Sequence, residues 1–318
     1  MSLAVLHSGD GYSYLTRQVA TGDNPRKRGE LMADYYTANG VPAGQWHGKG
    51  ADLLGLSGEV SEAQMAASFG EFLHPEADKL LPELLKQGKS VDEALDQVRL
   101  GNRPYDFNTH NHFAAELRDR IQHFTLTHKR VPTAEERETL EHLVAREEMA
   151  ELYGDDFAPT GEQIRHHIAE QKRQLRYPVS GYDLAFTPAK SISVLWAIGG
   201  EDVRKKIMAA HQEAVENSLD WIEDNALFSR SGKGGVKKID ANGMIATKFV
   251  HWDNRAGQPN LHTHCAVLNR VMCDDGKFRT IDGQVLPRAA VPATEHYNKM
   301  DTDLVKEKLG VEFYGHTS

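Results

Sequence analysis

The stretch from Phe249 to Leu268 constrains this chain more than any other. Ile245, Thr247, Phe249 and His251 alternate with Met244, Ala246, Lys248 and Val250. That period of two predicts a strand, because successive strand side chains point to opposite faces. Leu261, Thr263 and Cys265 alternate with His262 and His264 and predict a second strand. Between the two lies Asp-Asn-Arg-Ala-Gly-Gln-Pro-Asn, residues 253–260, rich in turn formers. A hairpin closed there brings His251 beside His262 and His264, which share one face. Three imidazoles on one sheet face suit a divalent ion with coordination positions left open. An isolated His-x-His is most often an ordinary surface strand; the third histidine at hairpin distance makes the pattern a candidate metal centre.

Charge at first argues against a nucleic-acid partner, since the net value is −9. Its distribution changes that. Residues 59–176 carry 23 acidic and 15 basic side chains, a balance of −8, and the remainder is near neutral at −1. The remainder is therefore free to carry a local positive groove. A chain of 318 residues can bury a substantial core in one large or two ordinary domains. It shows no apolar run of about 18 residues and no secretory signal, so no membrane span is expected. Two cysteines, Cys265 and Cys273, are too few for a disulfide framework, and a cytoplasmic location is expected.

Taken in order, residues 2–8 predict a strand, broken by Gly9-Asp10-Gly11. Tyr12-Ser13-Tyr14 opens a predicted helix running through Leu15, Gln18 and Val19. A basic turn with Arg26, Lys27 and Arg28 precedes Asp34-Tyr35-Tyr36. Residues 62–176 are mainly helical by their 3.6 period, with Pro132-Thr133 and Glu135-Glu136 marking one helix start. A strand over residues 180–187 carries Asp183, and a helix over residues 201–225 has its apolar stripe at Ile207, Ala210, Ala214, Val215, Leu219 and Ile222. Residues 229–238 are expected to form a flexible basic loop with Arg230, Lys233, Lys237 and Lys238. Its glycines lack the spacing of a phosphate-binding loop. Arg279–Ile281 ends a further strand, and a tail helix runs from about Ala293 to Leu309, stopping at Gly310.

Two chemical readings follow. A tyrosine can act as a nucleophile, but its phenol needs a base, a positive charge or a metal nearby. An aspartate on an apolar strand needs a partner, and a metal-ligating histidine donates its second ring N–H to such a group. Asp183 is the carboxylate in that position.

With these residues assembled, the chain resembles the conjugative relaxases of the TrwC/TraI (MOB-F) family, within the HUH superfamily of DNA-nicking enzymes. Three blocks carry the resemblance. The first is Tyr12-Ser13-Tyr14 with Asp34-Tyr35-Tyr36, Trp46-His47-Gly48-Lys49-Gly50 and Leu54-Gly55-Leu56. The second runs from Gly181 to Ser193 and includes Asp183. The third is His251 with Pro259-Asn260-Leu261-His262-Thr263-His264 and Asn269. The long acidic segment lies outside the resemblance.

The resemblance implies an α+β fold: a central antiparallel sheet with flanking helices and C-terminal helices closing over the DNA. Residues 1–318 would form one relaxase domain with a helical acidic insertion at about 62–176, either a piece of a longer protein or a relaxase-only one. His251, His262 and His264 would hold Mg, Mn or Zn, with Asp183 as the acidic helper. The first nucleophile would be Tyr12 or Tyr14, Tyr12 favoured for standing nearer the glycine turn. Tyr35 or Tyr36 would be the second. Arg26, Lys27, Arg28, Arg230, Lys233, Lys237 and Lys238 would contact the DNA backbone. The implied reaction joins a tyrosine to the 5′ phosphate of one strand at a plasmid transfer origin, beside a DNA hairpin. Relaxosome accessory proteins and a coupling protein are the implied partners.

Three rivals predict other things. A rolling-circle replication initiator shares the histidines but not the N-terminal tyrosines. A cupin-type dioxygenase wants a glutamate shortly after His264, and residues 265–270 offer none. A non-enzymatic DNA-binding protein with a structural metal predicts that tyrosine substitution is harmless.

Overall fold

The computed structural model describes residues 1–16, 43–154, 156–232, 235–253 and 259–312. The chain divides into two compact units, one of residues 1–5, 14–60 and 181–318 and one of residues 6–13 and 61–180.

The first unit carries the histidine hairpin. Its five-stranded sheet is built from β1 (Ser2–His7), β2 (Gln45–His47), β3 (Val179–Phe186), β6 (Ala246–Asp253) and β7 (Pro259–Leu268), in the order β1-β3-β7-β6-β2. The pairs β3–β7, β7–β6 and β6–β2 are antiparallel. The central position of β7 explains its burial. Leu261, Thr263 and Cys265 are buried under helices, while His262 and His264 between them are only half-buried on the other face. The helices on the covered face are α9 (Lys190–Ile198), α10 (Glu201–Ala226) and α11 (Val285–Leu309). The predicted stripe of α10 is its buried face, with Ile207, Ala210, Ala214, Val215, Leu219 and Ile222 all buried. α11 starts earlier than the expected Ala293 and keeps Pro292 inside it, although a proline removes one helical hydrogen bond.

Residues 229–231 and 237–238 depart from the expected flexible loop. β4 (Phe228–Ser231) and β5 (Lys237–Gly243) pair antiparallel and continue through β8 (Val271–Cys273) to β9 (Phe278–Arg279) as a second sheet. The register sets Arg230 opposite Lys238. Two like charges across a ladder repel. Each has its own compensation here: Arg230 Nε donates to Asp282 at 2.7 Å, and Lys238 Nζ stands 3.2 Å from the centre of the Phe228 ring.

Two further short elements of the unit among the described residues are α1 (Ser13–Thr16) and α2 (Lys49–Leu53). α2 explains the glycines after His47. Gly48 has φ +102°, and the Gly50 N–H donates to Met244 O at 2.8 Å. A Cβ on Gly50 would stand 2.2 Å from Gly243 O. These glycines serve close backbone approach.

The second unit is helical. After α3 (Glu62–Met65) and one π-turn at Ala66–Gly70 come α4 (Ala77–Lys86), α5 (Val91–Gln97), α6 (His112–His128), α7 (Ala134–Tyr153) and α8 (Gly161–Gln174). Reciprocal caps start four of them, at Ser61, Ser90, Thr133 and Thr160, the third being the start read from the sequence. Phe113, Leu117, Val144, Ala145, Met149, Ile164 and Ile168 form the core of α6, α7 and α8. Glu141, buried in α7, is paired with Lys172 at 2.8 Å, and Lys172 also reaches Asp10 at 2.8 Å.

Two stability outcomes follow. Gly50→Ala forces backbone apart and is expected to cost about 1–3 kcal/mol, read as a lower urea midpoint at unchanged slope; an unchanged midpoint would contradict the close approach. Asp301 on α11 is buried, and burial raises its carboxyl from 3.8 to about 7. A folded-state value above the unfolded one favours the folded state fully below about pH 4, and that contribution is lost as pH rises through 7. Asp301→Asn should therefore gain on the parent between pH 4 and 8 in paired urea titrations, whereas parallel pH profiles would refute the assignment.

Candidate metal centre and active site

Register builds the site. β6 and β7 pair with His251 directly opposite His262 and Phe249 opposite His264. The three rings converge with centroids 5.1–5.2 Å apart, and one nitrogen of each lies within 4.8 Å of the others. Metal–nitrogen bonds of about 2.1 Å place ligand atoms at most about 4.2 Å apart, so small side-chain rotations bring all three onto one ion. In two of the three the second nitrogen is already engaged. His264 Nδ1–H donates to Asp183 Oδ2 at 2.7 Å, and His262 Nδ1–H donates to the Asn260 carbonyl at 2.7 Å. Both bonds fix the tautomer that carries its lone pair on Nε2, the atom a metal would take. Burial, then the neighbouring His264 and His262, hold His251 down to about 3. A neutral imidazole is the form that ligates. The donor set fits a divalent ion.

Asp183 comes from β3, whose register places Ala185 opposite His264. Side chains two apart on a strand share a face, so Asp183 and Ala185 look toward the histidines while Tyr182, Leu184 and Phe186 look toward the helices. Asp183 is 4% exposed. Its Oδ2 also accepts from the Tyr14 hydroxyl at 2.7 Å. One oxygen thus joins a phenol to a candidate-ligand imidazole, and the Tyr14 ring meets the His264 ring edge-on at 6.1 Å. Asp183 Oδ1 is buried with no hydrogen-bond partner among the described residues. Burial first, then the Asp183 charge and hydrogen bond, push the Tyr14 phenol well above its ordinary value. Tyr14 is nevertheless 44% exposed and reachable by a large substrate.

Tyr12, the residue favoured from the sequence, belongs to the helical unit. It is 0% exposed and donates to Glu62 at 3.2 Å. Burial, followed by the Glu62 charge, raises its phenol well above the usual range. Tyr35, Tyr36, Arg26, Lys27, Arg28 and Lys233 lie outside the described residues. Arg230, Lys237 and Lys238 are exposed on the β4–β5 ribbon.

The reading of the sequence missed what stands behind the histidines. His211 on α10 is fully buried, with Nε2 2.8 Å from Thr263 Oγ1 and Nδ1 2.8 Å from Tyr297 Oη on α11. Burial, then His262, holds it down to about 3, so a neutral ring bridges two hydroxyls. Thr263 sits between two ligand histidines, and its anchor ties β7 to both helices. The signal was present: His211 follows Ile207 by four residues, on the buried stripe.

Comparison with known proteins places this geometry. The family model of the TrwC relaxase matches residues 8–317. The multifunctional conjugation protein TraI of Escherichia coli strain K12 is 28% identical over 130 residues, 41% of this chain and 7% of that protein. A second Escherichia coli TraI is 31% identical over 101 residues, 32% of this chain and 6% of that protein. The matches thus span well under a tenth of the curated relatives' own length. Among solved structures, a copper-bound complex of the conjugative relaxase TrwC with oriT DNA superposes with a TM-score of 0.52 at 22% identity, over 99% of this chain and 73% of that one. TrwC complexed with a 27-mer DNA comprising the recognition hairpin and cleavage site gives 0.52 at 19% identity, over 99% and 72%. At these identities the likeness is one of fold, an α+β arrangement of helices and antiparallel strands. From the family model over nearly its whole length, the chain belongs to the TrwC relaxase family.

Proposed function

We propose that this protein nicks and rejoins one strand of a plasmid transfer origin, with Tyr14 as the first nucleophile. The observation that carries the reading is the shared oxygen of Asp183, 2.7 Å from both the Tyr14 hydroxyl and His264 Nδ1. In the proposed step Tyr14 Oη attacks the scissile phosphorus and its proton passes to Asp183. The P–O3′ bond breaks, the 3′ oxygen leaves as a hydroxyl after protonation, and the 5′ phosphate stays on the tyrosine. No bond energy is lost to water, so the 3′ hydroxyl can reverse the step and close the strand. His251, His262 and His264 would hold the divalent ion, which when bound supplies positive charge for the phosphoryl oxygens and the developing phenolate. Three imidazoles favour a transition ion such as Zn over Mg, which prefers oxygen ligands.

Tyr12 takes a packing role in this reading. Tyr35 or Tyr36 remains the proposed second nucleophile. Arg230, Lys237 and Lys238 are proposed phosphate contacts, as are Arg26, Lys27, Arg28 and Lys233. Residues 1–318 are taken as one relaxase domain with a helical insertion at about 62–176, acting in the cytoplasm. Its proposed partners are single-stranded origin DNA with an adjacent hairpin, relaxosome accessory proteins and a coupling protein. Support for the DNA partner comes from the TrwC complexes with oriT DNA. No described helix is long and apolar enough to cross a membrane.

Tyr14→Phe is expected to abolish the covalent adduct with a cognate origin oligonucleotide on denaturing gels, while Tyr12→Phe keeps it. An adduct that survives Tyr14→Phe and vanishes in Tyr12→Phe would overturn the assignment. Asp183→Asn should slow adduct formation by about 100-fold or more, as loss of a proton acceptor does. In calorimetry with Zn²⁺, one site per chain is expected, lost in His262→Ala with His264→Ala and weakened about 10–100-fold in Asp183→Asn. Undiminished binding by the double histidine variant would remove the metal from the reading.

A further inference from the structure

The loop joining α5 to α6, residues 98–111, is held in one shape by polar bonds. The His74 N–H donates to Val98 O at 2.7 Å and the Leu100 N–H to Phe72 O at 2.9 Å. The Arg103 guanidinium grips Asp96 through Nε at 3.0 Å and Nη2 at 2.9 Å. Asp106 accepts from Arg118 at 2.6 Å and from the Asn108 N–H at 2.8 Å. The Asn108 amide clamps the backbone of Arg176, accepting at 3.0 Å and donating at 2.9 Å.

Two large rings are left projecting from this braced loop. Tyr105 is 74% exposed and Phe107 52%, their centroids 4.9 Å apart and their planes at 65°. A single exposed aromatic is ordinary, but a fixed pair is an organised surface. Both rings line a cavity of about 280 Å³ that lies wholly within the helical unit. Arg99, Arg103, Arg118 and Arg176 line it too. Arginines thus gather at one place in a segment whose overall balance is −8. The first three are engaged with protein oxygens. The Arg176 side chain is exposed and makes no ion pair among the described residues.

The wall therefore offers planar stacking surface and one guanidinium without a carboxylate. Asp92 and Asp106 on the same wall disfavour a multiply charged acidic peptide. One planar group with one negative charge is the repeating unit of a nucleic-acid strand. The volume matches the low end of small-ligand clefts, about 300 Å³, and suits one nucleotide. Every base has a face that stacks on an aromatic ring, and guanidinium matches phosphate in shape.

We propose that Tyr105, Phe107 and Arg176 form a stacking subsite on the helical unit for one nucleotide of a single DNA strand. Its residues take no part in the nicking chemistry. The choice of DNA rests on the nicking reading; the match to a planar, singly charged unit does not. Attachment here is led by stacking. With one phosphate paired, the logarithm of affinity should fall with that of salt at a slope of about −0.7.

The test uses the full chain and a six-residue oligothymidylate carrying one 5-iododeoxyuridine. Irradiation should join it to Tyr105 or Phe107, located by peptide mass spectrometry, and the yield at that peptide against concentration gives the subsite's affinity. Arg176→Ala should weaken that affinity and flatten its salt dependence. Tyr105→Ala with Phe107→Ala should weaken oligonucleotide binding about 5-fold or more, the loss of one stacked base. Both rings are exposed, so an unchanged thermal midpoint would show that the double variant folds. Adducts confined to other peptides, or affinity untouched in both variants, would overturn the proposal. So would thymidine monophosphate competing as well as the hexamer, which would make the ligand a free nucleotide, or displacement by a Glu- and Tyr-bearing peptide at equal concentration. Loop adducts with no cleavage of a cognate origin oligonucleotide would refute the nicking reading alone; cleavage of that oligonucleotide without loop adducts would refute this subsite alone.

Discussion

The pairing of His251 with His262 across β6 and β7 is the constraint on which the rest of the site depends. A slip of one residue would turn every side chain of β7 to its opposite face. His262 and His264 would then sink beneath the helices, and Leu261, Thr263 and Cys265 would meet solvent. The hydrophobic burial of those three residues therefore sets the position of the candidate metal ligands. The core and the candidate active site are two faces of one strand.

Polar bonds then refine what the register sets. Asp183 orients His264 from the ligand face, and the Asn260 carbonyl orients His262. From the covered face His211 ties Thr263 to Tyr297. Burial keeps His211 and His251 neutral, one as a bridge between hydroxyls and the other in the form that would ligate a metal. Such networks are costly when half-satisfied, which favours a single arrangement of β7.

The helical unit follows a different logic. Its reciprocal caps, its apolar core and the buried Glu141–Lys172 pair hold it together. The rings of Tyr105 and Phe107 add little to that stability, because both are exposed. Exposed aromatic surface on a fixed backbone is the kind of feature that a binding role explains and a folding role does not.

Much was legible in the residues alone. The period of two around His251, His262 and His264, the buried stripe of α10 and the cap at Thr133 are local patterns, repeated over distances that the backbone geometry itself dictates. The position of Asp183 on a buried strand was legible for the same reason. Paired strands within residues 228–243 were not, since glycines and lysines there read as loop and only cross-strand partners reveal the ribbon. Nor was the difference in surroundings between Tyr12 and Tyr14. Residues two apart in a helical turn point in different directions, so one looks into a core and the other to a carboxylate. Proximity to a glycine turn cannot say which; partners 50 and 169 residues away, Glu62 and Asp183, decide it. The sequence by itself determined that three histidines meet on one sheet face, because strand periodicity is local. The tertiary structure alone decided which tyrosine meets it, because that depends on packing between distant segments.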